Sequence, residues 1–442
     1  MRQKLQYMPA ADSARLSSGN IPVRQSCLSN SVSSRIMASM ESNPHKLPAP
    51  SDLAVHWALD PAVVFLNHGS FGACPRALLE RQNQWRTRME AEPVRFLTQE
   101  LQPLLDESRD RLAQLLNTVP ENLVFVPNAT TGVNAVVRSL EFKAGDEILT
   151  TSQDYNACRN ALKAVAERAG AKVVVAQVPF PLRDEAQVVQ AVLSGVSERT
   201  RLAMIDHVTS PTAVVYPIEK IVRALEERGI DTMVDGAHAP GMLPVDLDAL
   251  RPAYYTGNCH KWLCAPKGAG FLYVRPDRQE RIQPTTISHG FNTPRAGRNA
   301  LHTRFDWIGT IDPTAWLCVG MAIDWCSTLL PGGLSELMNR NRALAIEARR
   351  ILCESLGIDP PCPEEMLGSM ATIPLPGRFQ TAPFTANATD PVQTNLFDEY
   401  AIEVPVVRWG DPERRWLRIS AHAYNSREQY EYLAAVLKEL AA

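Results

Sequence analysis

The chain has 442 residues, 45% of them apolar, enough to bury a large core and to divide into two lobes. A net charge of -3 offers no basic field for nucleic acid, and no window approaches the roughly eighteen apolar residues of a membrane span, so neither partner is expected. Nine cysteines, at 27, 74, 158, 259, 264, 318, 326, 353 and 362, are scattered and odd in number, which points to reduced thiols in a cytoplasmic enzyme rather than to a disulfide framework.

Residues 1–50 differ from the rest, with nine serines, five basic residues and one acid, Asp12, in the first forty positions. They are expected to be an extra, poorly ordered segment: a tail, an upstream start ahead of Met37 or Met40, or a leader of transit-peptide type. Residues 51–330 are expected to form a large domain and 331–442 a smaller C-terminal one, with 51–75 packing on the smaller.

At Phe65 a short apolar run stops on Asn67, His68, Gly69, Ser70, Phe71 and Gly72, and Pro75 starts a helix. Two glycines in four positions are expected to let backbone amides approach a ligand closely. After an amphipathic stretch from Leu97 to Leu116, a strand from Leu123 to Val126 runs into Asn128, Ala129, Thr130, Thr131 and Gly132 ahead of a helix. Free amides at a helix start, with two hydroxyls, would seat a phosphate, although a plain capped helix has the same letters. The next strand, loop and helix place Tyr155 in the loop. Residues 172–178, KVVVAQV, read as a buried strand, and a further strand from Leu202 to Asp206 ends in His207, Val208, Thr209 and Ser210.

The densest stretch runs from residue 230 to 273. A strand from Ile230 to Val234 ends on Asp235, with His238 three residues beyond. A second strand, Ala253 to Thr256, leads through Cys259 and His260 to Lys261, and a third spans Phe271 to Val274. Two strands that each stop on a polar residue, in an alternating strand and helix chain, deliver those residues to one sheet edge, so Asp235 and Lys261 are expected to face one cavity. A lysine for a Schiff base and an anion to keep a ring nitrogen protonated suit pyridoxal 5'-phosphate (PLP). Cys259, His260 and Cys264 lack the paired Cys-x-x-Cys hooks of structural zinc, so no metal is expected.

Farther on, Gly309 and Thr310 precede a helix that begins near Pro313, and a helix from about Leu334 leads to the strand in MLGSMATIPLP. In the last strand, Trp416 to Ser420, period two puts Leu417 and Ile419 opposite Arg418, free to grip a carboxylate.

Asp-x-x-His on one strand, His-Lys after the next and the fuller string TGNCHKWLCAPKGAGFL resemble the class V aminotransferase family, most closely its isopenicillin N epimerase-like branch, from about Phe65 to the C-terminus. The resemblance implies a fold type I PLP enzyme: an α/β large domain with a mostly parallel mixed sheet flanked by helices, plus a smaller α+β domain. It makes Lys261 the Schiff-base lysine, Asp235 the ring-nitrogen anion and His238 a partner of the ring's phenolic oxygen. His260 joins the cofactor residues, with Tyr155 over the pyridine face, Thr130 and Thr131 on the phosphate, and Thr209 or Ser210 near the cofactor's oxygen. Arg418 is assigned the α-carboxylate of an amino-acid substrate, with Asn67, His68 and Gly69 beside it. Thr310 is to reach the phosphate of a partner subunit in a homodimer with shared sites.

The expected reaction is epimerisation of an amino-acid centre by Cα proton removal, with Tyr155, His260 or Cys259 as the donor opposite Lys261. The alternative is a carbon–sulfur β-lyase, which needs no second base. Transamination or a degenerate PLP-binding scaffold ranks below both. Persulfide chemistry is disfavoured because no cysteine lies between Cys362 and Arg418.

Overall fold

The structure, a computed structural model, describes residues 46–293, 295–381, 389–410 and 412–442. The expectations for residues 1–45, Cys27 among them, lie outside the described residues.

Among the described residues, twelve strands form three sheets. In chain order they are β1 (Val64–Phe65), β2 (Leu123–Val126), β3 (Glu147–Thr151), β4 (Lys172–Ala176), β5 (Thr200–Asp206), β6 (Asp231–Gly236), β7 (Tyr254–Asn258), β8 (Gly270–Val274), β9 (Met370–Pro374), β10 (Ile402–Glu403), β11 (Val406–Trp409) and β12 (Arg414–Ser420). The main sheet runs β2-β8-β7-β6-β5-β3-β4, with β8 antiparallel to both neighbours and the other six strands running the same way. This is the mixed α/β sheet of a fold type I enzyme, and β11-β12-β9 make the small antiparallel sheet expected near the C-terminus. β1 pairs with β10, so the segment after residue 51 joins the C-terminal part of the chain.

The strand interiors follow from composition. Val124, Ile148, Leu202, Met204, Met233 and Leu272 are buried under the helices Ala129–Ser139 and Asn156–Ala169 on one face. Leu149, Ala203, Ile205, Val234 and Phe271 join the larger core on the other. A strand covered on both faces reads as a continuous apolar run, which is why β5 and β6 were legible. β4 corrects one expectation: it is the sheet's edge strand, and Val173, Val174 and Val175 are only half-buried. The contacts run on past residue 330, with the helix Gly333–Leu356 packed on both Val319–Thr328 and Arg427–Ala441. No single helix among the described residues is long and apolar enough to cross a membrane.

Residues Asn67 to Gly72 also depart from the reading above. His68–Phe71 is a short helical turn, and its glycines serve chain packing rather than ligand approach. A Cβ on Gly69 would strike Met370 and Ser420, and one on Gly72, whose φ is +71°, would strike the carbonyl oxygen of His260. The turn is therefore wedged against the loop that carries Lys261. Gly72→Ala, which adds both strain and overlap there, is expected to lower unfolding stability by about 2–4 kcal/mol in a denaturant titration.

Candidate active site

β5, β6 and β7 end together, and Asp206, Asp235, Asn258 and Lys261 lie at that edge around a cavity of about 580 Å³. Its wall also includes Ser70, Thr130, Thr131, Tyr155, Ser210, His238, His260 and Lys267. The open end of a parallel sheet, where strands stop and helices begin, is the ordinary place for such a site.

Asp235 is buried on β6, where Oδ1 accepts the backbone N–H of Ala237 at 3.0 Å and Oδ2 the thiol of Cys158 at 3.1 Å. Burial raises its pKa, while those two hydrogen bonds and the nearby Lys261 pull it back. Lys261 Nζ stands 3.0 Å from His238 Nε2. Trp262 Nε1–H donates to His238 Nδ1 at 3.4 Å, so the proton of a neutral His238 sits on Nε2, facing the amine. His238 is neutral because burial, then the charge of Lys261, holds its pKa well below the usual imidazole range. Burial and then Arg418 lower the Lys261 amine to about 7, against the opposing pull of Asp235 and Asp206. An amine lowered this far is neutral, and so nucleophilic, to a much greater extent than an ordinary lysine.

Opposite Asp235, Asn128 caps the helix Ala129–Ser139 by accepting the Thr131 amide, and Asn258 Oδ1 accepts the Ala129 amide at 2.9 Å. Two first-turn donors expected to be free are thus committed. The hydroxyls of Thr130 and Thr131 remain on the wall, joined by His260, whose Nδ1 is fixed by the Ala269 carbonyl at 2.9 Å. Gly270 has no room for a Cβ because the Asn128 backbone lies against it, so the loop after Lys261 is clamped to this helix start.

Arg418 points from β12 towards the same region without lining the cavity in this conformation. Nη1 donates to the Ser210 carbonyl at 2.7 Å and to Ser210 Oγ at 3.1 Å, and Nη2 to Ser70 Oγ at 3.0 Å. Nε is buried with no partner among the described residues. Burial lowers its pKa to about 10, which leaves a full positive charge held by two hydroxyls and a carbonyl. Such a cation is a ready receptor for a carboxylate.

Several sequence assignments land elsewhere. Asn67 is tied to Glu403 at 2.8 Å, and His68 is buried between the Tyr424 hydroxyl and the Lys261 carbonyl. The Gly69 amide donates to Ser420 Oγ. None of the three lines the cavity; Ser70, which the sequence reading passed over, does. Thr209 is likewise turned away, bonded to Thr212 and Val214, while Ser210 faces the site. Cys259 lies in the core and Thr310 is exposed, outside the cavity of a single chain. Tyr155 lines the cavity, half exposed, at the N-cap of the helix Asn156–Ala169. Also missed were Asp206, Cys158 and Lys267. A strand ending in Asp was visible for the first, but the register that sets Asp206 beside Asp235 belongs to the sheet.

A lysine near neutrality, a buried carboxylate, a hydroxyl-lined helix start and a cavity large enough for a cofactor and an amino acid together fit PLP. The fold and site define a PLP-dependent enzyme of fold type I. Residues 64–433 match the Aminotransferase class-V family, and the chain belongs to it; this family uses PLP. It is 36% identical to the isopenicillin N epimerase of Streptomyces clavuligerus over 395 residues, 86% of this chain and 96% of the relative. It is 28% identical to the L-cysteine desulfhydrase of Arabidopsis thaliana, over 86% and 88% of the two chains. A cystine C–S lyase, C-DES, solved with its product cysteine persulfide, superposes with a TM-score of 0.70 at 21% identity, covering 85% of this chain and 97% of that one.

Two measurements bear on the assignments. Lys261→Ala is expected to leave no cofactor attached after borohydride reduction; a variant that still carries reducible, covalently bound PLP sinks the lysine assignment. In the unsubstituted chain stripped of cofactor, the neutral fraction of Lys261 grows as pH rises through about 7. The rate of cofactor attachment should therefore rise through that pH and level off above it, and a flat profile from pH 6 to 9 counts against a depressed amine.

Proposed function

We propose that the chain is an amino-acid epimerase of the isopenicillin N epimerase type. The observation that carries this reading is the placement of two proton carriers on either flank of Asp235. Lys261 follows β7 and Tyr155 follows β3, and between them the sheet order interposes β6, with Asp235, and β5. Three strand steps separate the two by about 14 Å at the sheet edge, so they enter the cavity from opposite sides.

When bound, PLP supplies the electron sink that makes a Cα–H bond acidic. Ser70, Ser210 and Arg418 hold the substrate carboxylate, and Lys261 takes the Cα proton on its face. His238, donating through Nε2, keeps the amine oriented. Inversion then requires a proton from the other side, and that role is assigned to Tyr155, which lines the cavity wall. His260 is fixed by Ala269 and its pKa is lowered to about 4, chiefly by burial, so it is the poorer donor. Cys259 is in the core, and burial drives its thiol pKa far up.

The second reading, a carbon–sulfur β-lyase, is favoured by the desulfhydrase relatives and asks for nothing beyond Lys261 and Arg418. No cysteine is among the cavity's lining residues, which speaks against persulfide transfer in either reading. A homodimer is also proposed, because Phe71, at the cavity, is 74% exposed and Thr310 lies on an exposed loop outside it. Each chain would complete its partner's site with Thr310.

The deciding experiment follows L-amino acids and cysteine conjugates in deuterated water. Deuterium at Cα with loss of optical activity and no pyruvate supports the epimerase; pyruvate with a released thiol establishes the lyase instead. Tyr155→Phe should slow racemisation by about 10²-fold or more while Cα–H exchange with retention persists. Equal loss of both would remove Tyr155 from the donor role. Arg418→Ala should raise KM for α-amino acids by at least about tenfold, and an unchanged KM reassigns the carboxylate site.

A further inference from the structure

Beneath the cavity lies a group of acids larger than cofactor binding alone requires. Asp206 and Asp235 are register partners on adjacent parallel strands, so their side chains share one face of the sheet. Both are buried and both line the cavity. Asp206 accepts a hydrogen bond from the Tyr155 amide, yet its Oδ1 is buried with no partner among the described residues. Asp154 lies in the loop after β3, buried, bonded to Thr150 and ion-paired to Arg159.

Counting the charges around this floor leaves it unbalanced. From the helix Asn156–Ala169, Arg159 cancels Asp154, and Cys158 brings a thiol that donates to Asp235. The segment after β5 brings His207, bonded to the Tyr255 hydroxyl of β7, and the neutral phenol of Tyr216. Beyond β7 comes Lys261, which burial and then Arg418 drive towards the neutral amine, and Lys267 lies farther along the cavity wall. Two adjacent buried carboxylates, neither of them ion-paired among the described residues, do not both ionise.

We propose that Asp206 and Asp235 form a two-carboxylate, one-proton pair that hands its proton to the ring nitrogen of the incoming cofactor, so that Asp206 is the proton source for the site rather than bulk water. The step balances: an O–H bond of the pair breaks and an N–H bond forms, the pair going from one negative charge to two and the ring from neutral to positive. The cation formed then lies against both carboxylates. The direction in which each acid is shifted agrees with this order, since burial and then the charge of Asp235 push Asp206 well above the usual carboxylate range. The inference rests on the cofactor site and is independent of whether the reaction is epimerisation or elimination.

The test uses the full chain stripped of PLP and the probe 4-deoxypyridoxine 5'-phosphate, which has the ring nitrogen and phosphate but no aldehyde, so Lys261 forms no bond to it. Calorimetric titrations in buffers of different ionisation enthalpy, at a pH above the ring nitrogen's own pKa, count the protons taken from solution. Asp206→Asn is expected to take up about one proton per site more than the unsubstituted chain, because the pair no longer supplies it. Equal counts overturn the proposal. Should that variant fail to fold, infrared difference spectra of the unsubstituted chain decide: the C=O stretch of a protonated carboxylic acid is present before the probe binds and lost after. Its absence from the stripped chain, or its persistence after binding, also overturns the proposal. If the probe does not bind at all, the cavity's assignment to the cofactor fails and this inference with it, whichever reaction the enzyme performs.

Discussion

The structure is organised around the burial of opposite charges that are not each other's partners. Asp235 and Arg418 are both almost inaccessible to water, yet neither is neutralised by an ion pair among the described residues. Removing an isolated charge from water costs several kcal/mol, a cost tolerated only where something else completes the site. On the proposed roles, the completing groups would be the cofactor's ring nitrogen at Asp235 and a substrate carboxylate at Arg418. The unfavourable electrostatics of these two buried charges would thus become selectivity for a cofactor and an amino acid arriving together.

Holding those charges apart is the work of the backbone around them. Asp235 is fixed by β6 in the middle of a seven-strand sheet, and Arg418 by β12 in the small one. Between them the turn at His68–Phe71 is pinned from three directions: the Gly69 amide to Ser420, the His68 ring to the Lys261 carbonyl and Tyr424, and Gly72 against His260. Residues that sequence reading placed on the substrate therefore act one layer back. They fix the position of Ser70, which touches Arg418, and of the loop that bears Lys261. Preorganisation of this kind means that charges need little rearrangement when the substrate arrives.

Legibility in the sequence followed the physics of each element. The apolar runs of β5 to β8 and their polar ends were plain because buried strands leave a continuous pattern and a sharp stop, and they located Asp235, His238 and Lys261. Arg418 was legible from period two in β12. The 67–72 stretch misled because Asn, His, Gly and Ser occur alike in ligand loops and in tightly wedged turns, and only the Met370, Ser420 and His260 contacts tell them apart. Thr209 and Ser210 are adjacent, and local letters do not say which faces inward; the Thr209–Thr212–Gln153 hydrogen bonds do. Asp206 stayed unassigned because its meaning comes from register with β6, a tertiary property. The half-exposed valines of β4 reflect strand order, which no local pattern carries.

What separates epimerisation from elimination is smaller than what unites them. On the roles proposed above, both would need Lys261 to remove one proton and Arg418 to hold one carboxylate, and both would use Asp235 as the anion for the cofactor's ring. An epimerase must then return the proton to the opposite face before any β-substituent departs, so its site has to present a donor there and protect the carbanion equivalent from losing a leaving group. A lyase needs only a substrate with a good leaving group at Cβ. In this chain the difference reduces to whether Tyr155, at the end of β3, reaches Cα while the carboxylate is held at Ser70 and Ser210. On those roles, every group that would make the Cα–H bond acidic would serve either reaction equally. Relatives named as an isopenicillin N epimerase and as an L-cysteine desulfhydrase accordingly match this one chain at 36% and 28% identity.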